Sequence, residues 1–446
     1  MIPSTAQLMV EMSKVAYQDQ EQKRWLETRE KAYDYYKGRT EVYTKSYFSE
    51  SLVSQIPCPN INITKRIIDR ISLVYMNSPK RLYTNPDIVD MFHLKDHKMQ
   101  RLEKLCNLLE VVLIKPTWRN DKIEYDIIRD WEVMYNDSDD PLTPSAITYP
   151  LSVRGNVLDT TPELFAYWDA DNHFVYEKGT GKKIVDPDNP EMINPYSMLP
   201  FVECYSNGKP ESSYFDTDAS LDLIATNEAC NVAEFNKNAN IMFQSFGFGF
   251  ITGSNIEKDK LEIGQDKWSF LGFDGSLNMV APPNSVPALT ASIESSYKML
   301  AQNYHLSVSF VEGSTAESGV ALRLRNQELM DSRKSDVEKY RRIEHKLFEV
   351  EERIIAVELG KDAGSLLNVD YEESVEILSD KEQRERWDWD LANGLIDRAT
   401  ILMHRDPDRF PDKETAEDYL FELSGAEEEM EEAPTSPLLE ALTTPV

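Results

Sequence analysis

Cysteine and histidine are scarce in this chain, four of one and six of the other among 446 residues. Cys58, Cys106, Cys204 and Cys230 are scattered without metal-ligand spacing, which argues against a disulfide framework and for a reducing compartment. His93 and His97 fall four apart in a segment expected to be helical, but no acid stands beside the first, as a metalloprotease pair needs. They read as a solvated helix face. No apolar run reaches the twenty or so residues that cross a bilayer. MIPSTAQLMVEMSKVAYQDQ lacks the basic region and apolar stretch of a secretory signal. The sequons at Asn62 and Asn136 therefore read as chance. A nucleophile elbow and a dinucleotide fingerprint are missing as well. No catalysis and no cofactor are expected.

Positive charge is also short, with 48 Lys and Arg against 78 Asp and Glu and a net charge of −30. A protein that grips nucleic acid does so by neutralising phosphates with cations, so a tight DNA clasp is excluded. An acidic wall past which DNA slides is not. The abundant acids also make two-carboxylate patterns common. Asp216 and Asp218 read as acids at a helix N-terminus, and Asp388 and Asp390 as chance. Asp169-Ala170-Asp171 begins like a calcium loop, but Phe174 stands where its glycine belongs. Gly179-Thr180-Gly181-Lys182 lacks the first glycine of a phosphate loop and the hydroxyl after its lysine. Both read as turns. Glu344 and Glu351 lack the Glu-x-x-His partner of a di-iron bundle. No metal site is expected.

Residues of 41% hydrophobic and 10% aromatic character make the chain globular, and its length predicts two or three domains. Its fold class reads as α+β. The organising stretch runs from Gly313 to Leu359; from Val320 onward it contains neither Gly nor Pro and predicts a helix roughly 60 Å long. Ser314 with Glu317, or Ser318, are its start signals. Ile343, Leu347, Val350 and Ile354 give it an apolar face, expected to be more than one chain can cover. Glu338 with Arg342 and Glu349 with Arg353 are expected to pair on the solvated side. Leu329, Met330, Val337 and Tyr340 do not sustain a strict heptad, so assembly is favoured over a coiled coil.

Earlier in the chain, a helix is expected up to Lys37 with Gly38 as its stop. A second carries Ile63, Ile67, Ile71 and Val74 and ends at Asn77-Ser78-Pro79. From Leu109 to Phe201, β-branched and aromatic runs predict one meandering antiparallel sheet. From Asp216 a helix buries Leu221, Ile224, Ala225, Val232, Phe235, Ala239 and Met242, with Asn, Glu and Lys237 opposite. A second, from Ser285, carries Leu289, Ile293, Tyr297, Leu300 and Tyr304. Between them lies a Gly- and Phe-rich insert closed by Pro282-Pro283, so the two helices form an antiparallel pair with a knob at the tip. A strand, LLNVDYEESVEIL, two helical segments and an acidic tail follow Gly360.

This order resembles the portal (head-to-tail connector) proteins of tailed bacteriophages. The stretches that carry the resemblance include NINITKRIIDRISLVYMNSP, VVLIKPTWRNDKIEYDIIRD, and MLPFVECYSNGKPESSYFD leading into DASLDLIATNEACNVAEF. AESGVALRLRNQELMDSRKSDVEKYRRIEHKLF and NGLIDRATILMHRDPD extend it, so that it spans about residues 20–425. It implies a wing over 1–213 and a stem of two helices, 214–244 and 284–304, around a clip at 245–283. A tunnel loop at 305–317, a long wing helix and strand over 318–378, a crown at 379–425 and a disordered tail at 426–446 complete it.

The family further implies a non-enzymatic ring of about twelve subunits at one capsid vertex of the virion, assembled in the host cytoplasm. Double-stranded DNA would pass through it, and capsid and scaffolding proteins, the large terminase subunit and adaptor or tail proteins would dock on it. Ser307, Val308, Ser309, Phe310, Glu312, Gly313 and Ser314 would meet DNA, with Lys237 and Lys298 lining the stem. Phe246, Phe248, Phe250, Trp268, Phe270 and Phe273 would bind partners at the clip. Two other readings compete: a non-viral intracellular helical scaffold, and a metal-dependent hydrolase built on Asp216/Asp218 or Asp388/Asp390.

Overall fold

The computed structural model describes residues 20–134, 142–151, 163–211, 214–215, 217, 220–246, 248–252, 276–280, 284–306, 319–371, 380–406 and 409–431. The chain divides into two compact units, Met1–Thr315 with Arg325–Glu373, and Ala316–Leu324 with Ser374–Val446. Helices and antiparallel sheets are both present, so the class is α+β.

The first unit opens with α1 (Gln20–Lys37), which stops where Gly38 takes φ +74°, a left-handed conformation that costs glycine little. Trp25, Arg29, Ala32 and Tyr35 form its buried stripe. Arg29 is in that stripe because three backbone carbonyls there take its donors. Its guanidinium donates to the carbonyls of Leu109 (2.7 Å), Val111 (2.8 Å) and Arg129 (3.1 Å) and lies 4.2 Å from the Trp25 ring centre. Burial lowers its pKa to about 10.

Two single turns, α2 (Glu41–Lys45) and α3 (Glu50–Val53), lead to α4 (Ile63–Ile71), which buries Ile63, Thr64, Ile67 and Ile68. The apolar period predicts that this helix continues past Val74, yet it stops at Ser72. Glu103 is the physical reason. Its carboxylate accepts the N–H groups of Val74 (2.8 Å) and Tyr75 (3.0 Å), taking the donors that another helical turn would use.

β1 (Lys80–Tyr83) and a short 3-10 turn (Pro86–Met91) precede α5 (Lys95–Leu109). His93 lies in the turn before α5 and His97 within it, so the two do not share a helix face.

Eight strands follow in the region read as one meander: β2 (Val111–Arg119), β3 (Lys122–Ile128), β4 (Glu132–Met134), β5 (Ala146–Pro150), β6 (Leu164–Asp169), β7 (His173–Glu177), β8 (Lys183–Ile184) and β9 (Val202–Tyr205). They form two sheets, β3-β2-β9 and the meander β4-β5-β6-β7-β8. Residues 111–116 of β2 are all buried, so this strand needs cover on both faces and both edges. β9 returns to supply one edge, with Val112 opposite Cys204. The two turn readings hold. Asp169 Oδ1 accepts the N–H of Asp171 (2.8 Å) in the β6–β7 turn, and Gly179 and Gly181 take positive φ between β7 and β8.

The unit continues with α6 (Leu221–Phe246), β10 (Phe248–Thr252), β11 (Ser276–Val280), α7 (Val286–Asn303), α8 (Gly319–Leu359, of which the part from Arg325 belongs to this unit) and β12 (Leu366–Asp370). The 41-residue α8 matches the helix expected over 320–359; its start signals, Ser314, Glu317 and Ser318, lie outside the described residues. Tyr340, Ile343, Leu347, Phe348, Val350, Ile354 and Ile355 are buried in the main core. One chain therefore covers this apolar face, contrary to expectation. Glu338 pairs with Arg341 rather than Arg342, and Arg353 donates to the Tyr196 carbonyl (2.8 Å). β12 pairs antiparallel with β1, Arg81 opposite Val369. Gly364 (φ +72°) makes that approach possible, because a Cβ there would sit 2.2 Å from Thr84 Oγ1.

In the second unit, α9 (Asp380–Ala392) precedes α10 (Arg398–Arg405) and α11 (Lys413–Glu431). Ala399, Phe410 and Ala416 form a small core between the last two. Asp397 caps α10 through the Thr400 N–H (2.8 Å), and Asp412 caps α11 through that of Thr415 (2.8 Å). The expected disordered tail begins at 426, but α11 runs to Glu431; Ala, Glu and Met favour helix, and the first proline comes at Pro434. Asp388 and Asp390 are two apart on α9, so they do not face a common ion.

Candidate functional site

The α6–α7 pair and its surroundings form the candidate site. Asn227 and Asn231, placed by the sequence pattern on the solvated side of α6, are fully buried. Asn227 Oδ1 accepts the N–H groups of Ile63 (3.1 Å) and Thr64 (3.0 Å), while its Nδ2 donates to the Ile61 carbonyl (2.8 Å). Asn231 Oδ1 accepts the Ile61 N–H (2.9 Å). The NINIT segment has no ladder partner, and the two amides supply its hydrogen bonds. Ala225, expected in the apolar stripe, is exposed. Further along α6, Phe235 stacks on Phe48 with ring centres 4.1 Å apart.

α6 and α7 run antiparallel. The Tyr304 hydroxyl at the end of α7 donates to Asp222 at the start of α6 (2.8 Å), and Tyr297 sits against Cys230 one step further along. Burial pushes the Cys230 thiol up to about 11. Helix α6 starts at Leu221 instead of 214 because Tyr214 belongs to the core: its hydroxyl donates to Glu203 (2.7 Å) and accepts from Trp131 Nε1 (3.0 Å). At the base of the pair lies a polar cavity of about 360 Å³ lined by Glu110, Ser220, Asp222, Tyr304, His305 and Lys339, among others. Glu110, Ser220 and His305 all take positive φ (66°, 43° and 55°), so both helices join the core through left-handed residues around one cavity.

Of the residues expected to line a channel, Lys237 on α6 is paired with Glu234 (2.6 Å), and Lys298 is half-buried on α7. Phe246 is the last residue of α6. Phe248 and Phe250 belong to β10, opposite Val280 and Asn278 of β11. Trp268, Phe270 and Phe273 lie outside the described residues, as do Ser307, Val308, Ser309, Phe310, Glu312, Gly313, Ser314, Asp216 and Asp218. Leu221, Ile241 and Met299 are 40%, 45% and 61% exposed on the pair.

A second constellation escaped the sequence reading. Glu344 and Glu351 of α8 are both fully buried. Glu344 accepts from Arg81 Nη2 (2.6 Å) and the Tyr75 hydroxyl (3.0 Å), and Lys95 Nζ lies 3.3 Å away. Lys95 also pairs with Glu351 (2.7 Å), which accepts from Tyr125 (2.6 Å). Burial alone would raise the pKa of Glu344, but Lys95 and Arg81 outweigh it and hold it at about 2. The signal was present in the sequence: the two acids lie seven apart on the stripe of Tyr340, Leu347 and Ile354. The network ties α8 to β1 and α5: Glu344 and Glu351, together with Asp96 on Arg81 (2.6 Å), face two bases, with tyrosine hydroxyls between them. It holds structure together and offers no unpaired nucleophile.

Among the described residues no helix is long and apolar enough to cross a membrane, and no three His, Cys, Asp or Glu side chains are grouped to hold a metal. No family model matches the chain, and no curated protein is significantly similar to it.

Proposed function

We propose that the chain is one subunit of a phage portal ring, the channel for double-stranded DNA at a capsid vertex and the platform on which packaging motor and tail components dock. The observation that carries this reading is the antiparallel α6–α7 pair. It ends in the β10–β11 strands, is pinned to a sheet-bearing core, and is followed by the 41-residue α8. The helices keep exposed apolar residues, Ile241 and Met299, that a neighbouring copy would bury. About twelve such pairs, with α6 helices about 10 Å wide side by side, enclose a lumen roughly 28 Å across. The chain acts in this role without catalysis; its acidic surface lets DNA slide and limits adhesion.

Size-exclusion chromatography with light scattering, followed by negative-stain imaging, tests the reading. The expected species is a closed ring of about twelve chains. A species of one or two chains at micromolar concentration across several salts would overturn it.

A further inference from the structure

The exposed sides of α1, α4 and α5 meet at Asp69. Its carboxylate accepts from the Tyr36 hydroxyl on α1 (3.0 Å) and pairs with Lys104 on α5 (2.9 Å). Cations surround it. Lys65 is exposed one turn before Asp69 on α4 and Arg70 is exposed directly after it, Arg101 is exposed one turn before Lys104, and Lys37 is exposed at the end of α1. A cavity of about 250 Å³ runs between α1 and α5, walled by Tyr33, Tyr36, Lys37, Arg101 and Lys104. The Arg129 guanidinium lies 3.8 Å and the Lys37 ammonium 5.4 Å from the Tyr33 ring centre, which turns the ring face toward cations.

This is out of character for the chain. Residues 61–110 hold nine Lys and Arg against six Asp and Glu, in a protein of net charge −30. Glu103 among the acids and Lys95 among the bases are buried, so the local excess of cations persists at the surface. At physiological ionic strength the Debye length is about 8 Å. A polyanion close to this face therefore meets its local cations, with the acidic remainder largely screened.

We propose that the α1–α4–α5 face binds the phosphate backbone of duplex DNA, as a second contact besides the one expected of the helix pair. The proposal rests on the portal reading for the identity of the polyanion. A protein partner fits less well: interfaces are anchored by apolar or aromatic groups in desolvated pockets. The aromatic walls are already engaged, Tyr33 by Arg129 and Tyr36 by Asp69, and Leu105 is 4% exposed and part of the core. Phosphate contact needs only the cations.

The test uses the full chain, its oligomeric state recorded by light scattering, and a fluorescein-labelled 30-base-pair duplex followed by anisotropy. Four phosphate contacts, from Lys37, Lys65, Arg70 and Arg101, give a log–log salt slope of about −3.6, a loss of roughly 150-fold in affinity between 50 and 200 mM salt. The double variant Arg70→Glu/Arg101→Glu should flatten the slope by about two and weaken binding at least tenfold at 50 mM. Arg70→Gln/Arg101→Gln should give the same direction with a smaller loss. Equal affinity and slope in wild type and both variants would overturn the proposal. So would displacement of the duplex by polyglutamate at matched charge, which would assign the face to an acidic protein. A ring that does not bind the duplex refutes this inference alone; DNA binding by a chain that forms no ring refutes the portal reading alone.

Discussion

Helix α8 from Leu329 onward and the α6–α7 pair are both long and apolar on one side, and they are completed differently. α8 lies in the main core, where the sheet, α5 and β1 cover it and its two acids meet Arg81, Lys95 and tyrosine hydroxyls. The pair is finished on the inside only, by Asn227, Asn231 and Phe235, and keeps Ile241 and Met299 in solvent. One chain suffices for the first. The second keeps apolar residues at the surface, and in the proposed ring assembly would be a property of the pair.

The comparison breaks most sharply at Glu344. Glu344→Ala removes the buried acid that Arg81 and Lys95 share, leaving Arg81 with the half-exposed Asp96 and Lys95 with Glu351, and the loss should be about 3–5 kcal/mol in denaturant unfolding. A loss under about 1 kcal/mol would show that the network does not hold α8 in place. Glu103, a third buried acid beside Glu344 and Glu351, sharpens the contrast through pH. It has backbone donors but, among the described residues, no ion pair, and burial raises its pKa to about 7, against 4.5 for an ordinary glutamate. Between those values the folded chain holds more protons than the unfolded one. Glu103 therefore costs stability as pH rises from 4.5 through 7, by about 3 kcal/mol. Glu103→Gln should remove that fall relative to wild type. Glu344 has the opposite sign: its stabilisation is present above pH 4.5 and is lost as pH drops toward 2.

Within the pair, Asn227→Ala strands the N–H groups of Ile63 and Thr64 and the Ile61 carbonyl, and about 2 kcal/mol should be lost. Amide exchange at Ile63 should accelerate with it. The smallest effect on stability is predicted for Ile241→Asp and Met299→Asp, within about 0.5 kcal/mol because both sites face solvent. Their effect on assembly should be large, shifting light-scattering mass toward the single chain. Unchanged assembly would remove these residues from the interface.

The sequence reading located α1, α8, the helix pair, the strands between Leu109 and Phe201, β12 and α9 to α11, because each follows from local periodicity or from Gly and Pro punctuation; β1 and β9 were not among its strands. What it misplaced depended on distant partners. The end of α4 is set by Glu103, about thirty residues on. The asparagines of α6 look solvated until the NINIT segment, 166 residues earlier at Ile61, is seen to need them. Acids on an apolar stripe, as at Glu344 and Glu351, were read against a metal motif when the stripe itself marked them as buried. The single meander became two sheets because β9 returns across about eighty residues to an edge that composition cannot assign.

The pairing of β1 with β12 also governs how the chain can be made. The hydrogen bond between Tyr75 and Tyr371 joins positions 296 apart. At roughly 5–20 residues per second of synthesis, the earlier tyrosine waits about 15–60 s for the later one. During that interval Arg81 and Lys95 are without Glu344 and Glu351, and β1 has an open edge. The nascent chain must hold off aggregation for most of its synthesis before the core closes in one late step. That makes truncated products, and slow translation before Glu344, the points at which production of this protein is most exposed.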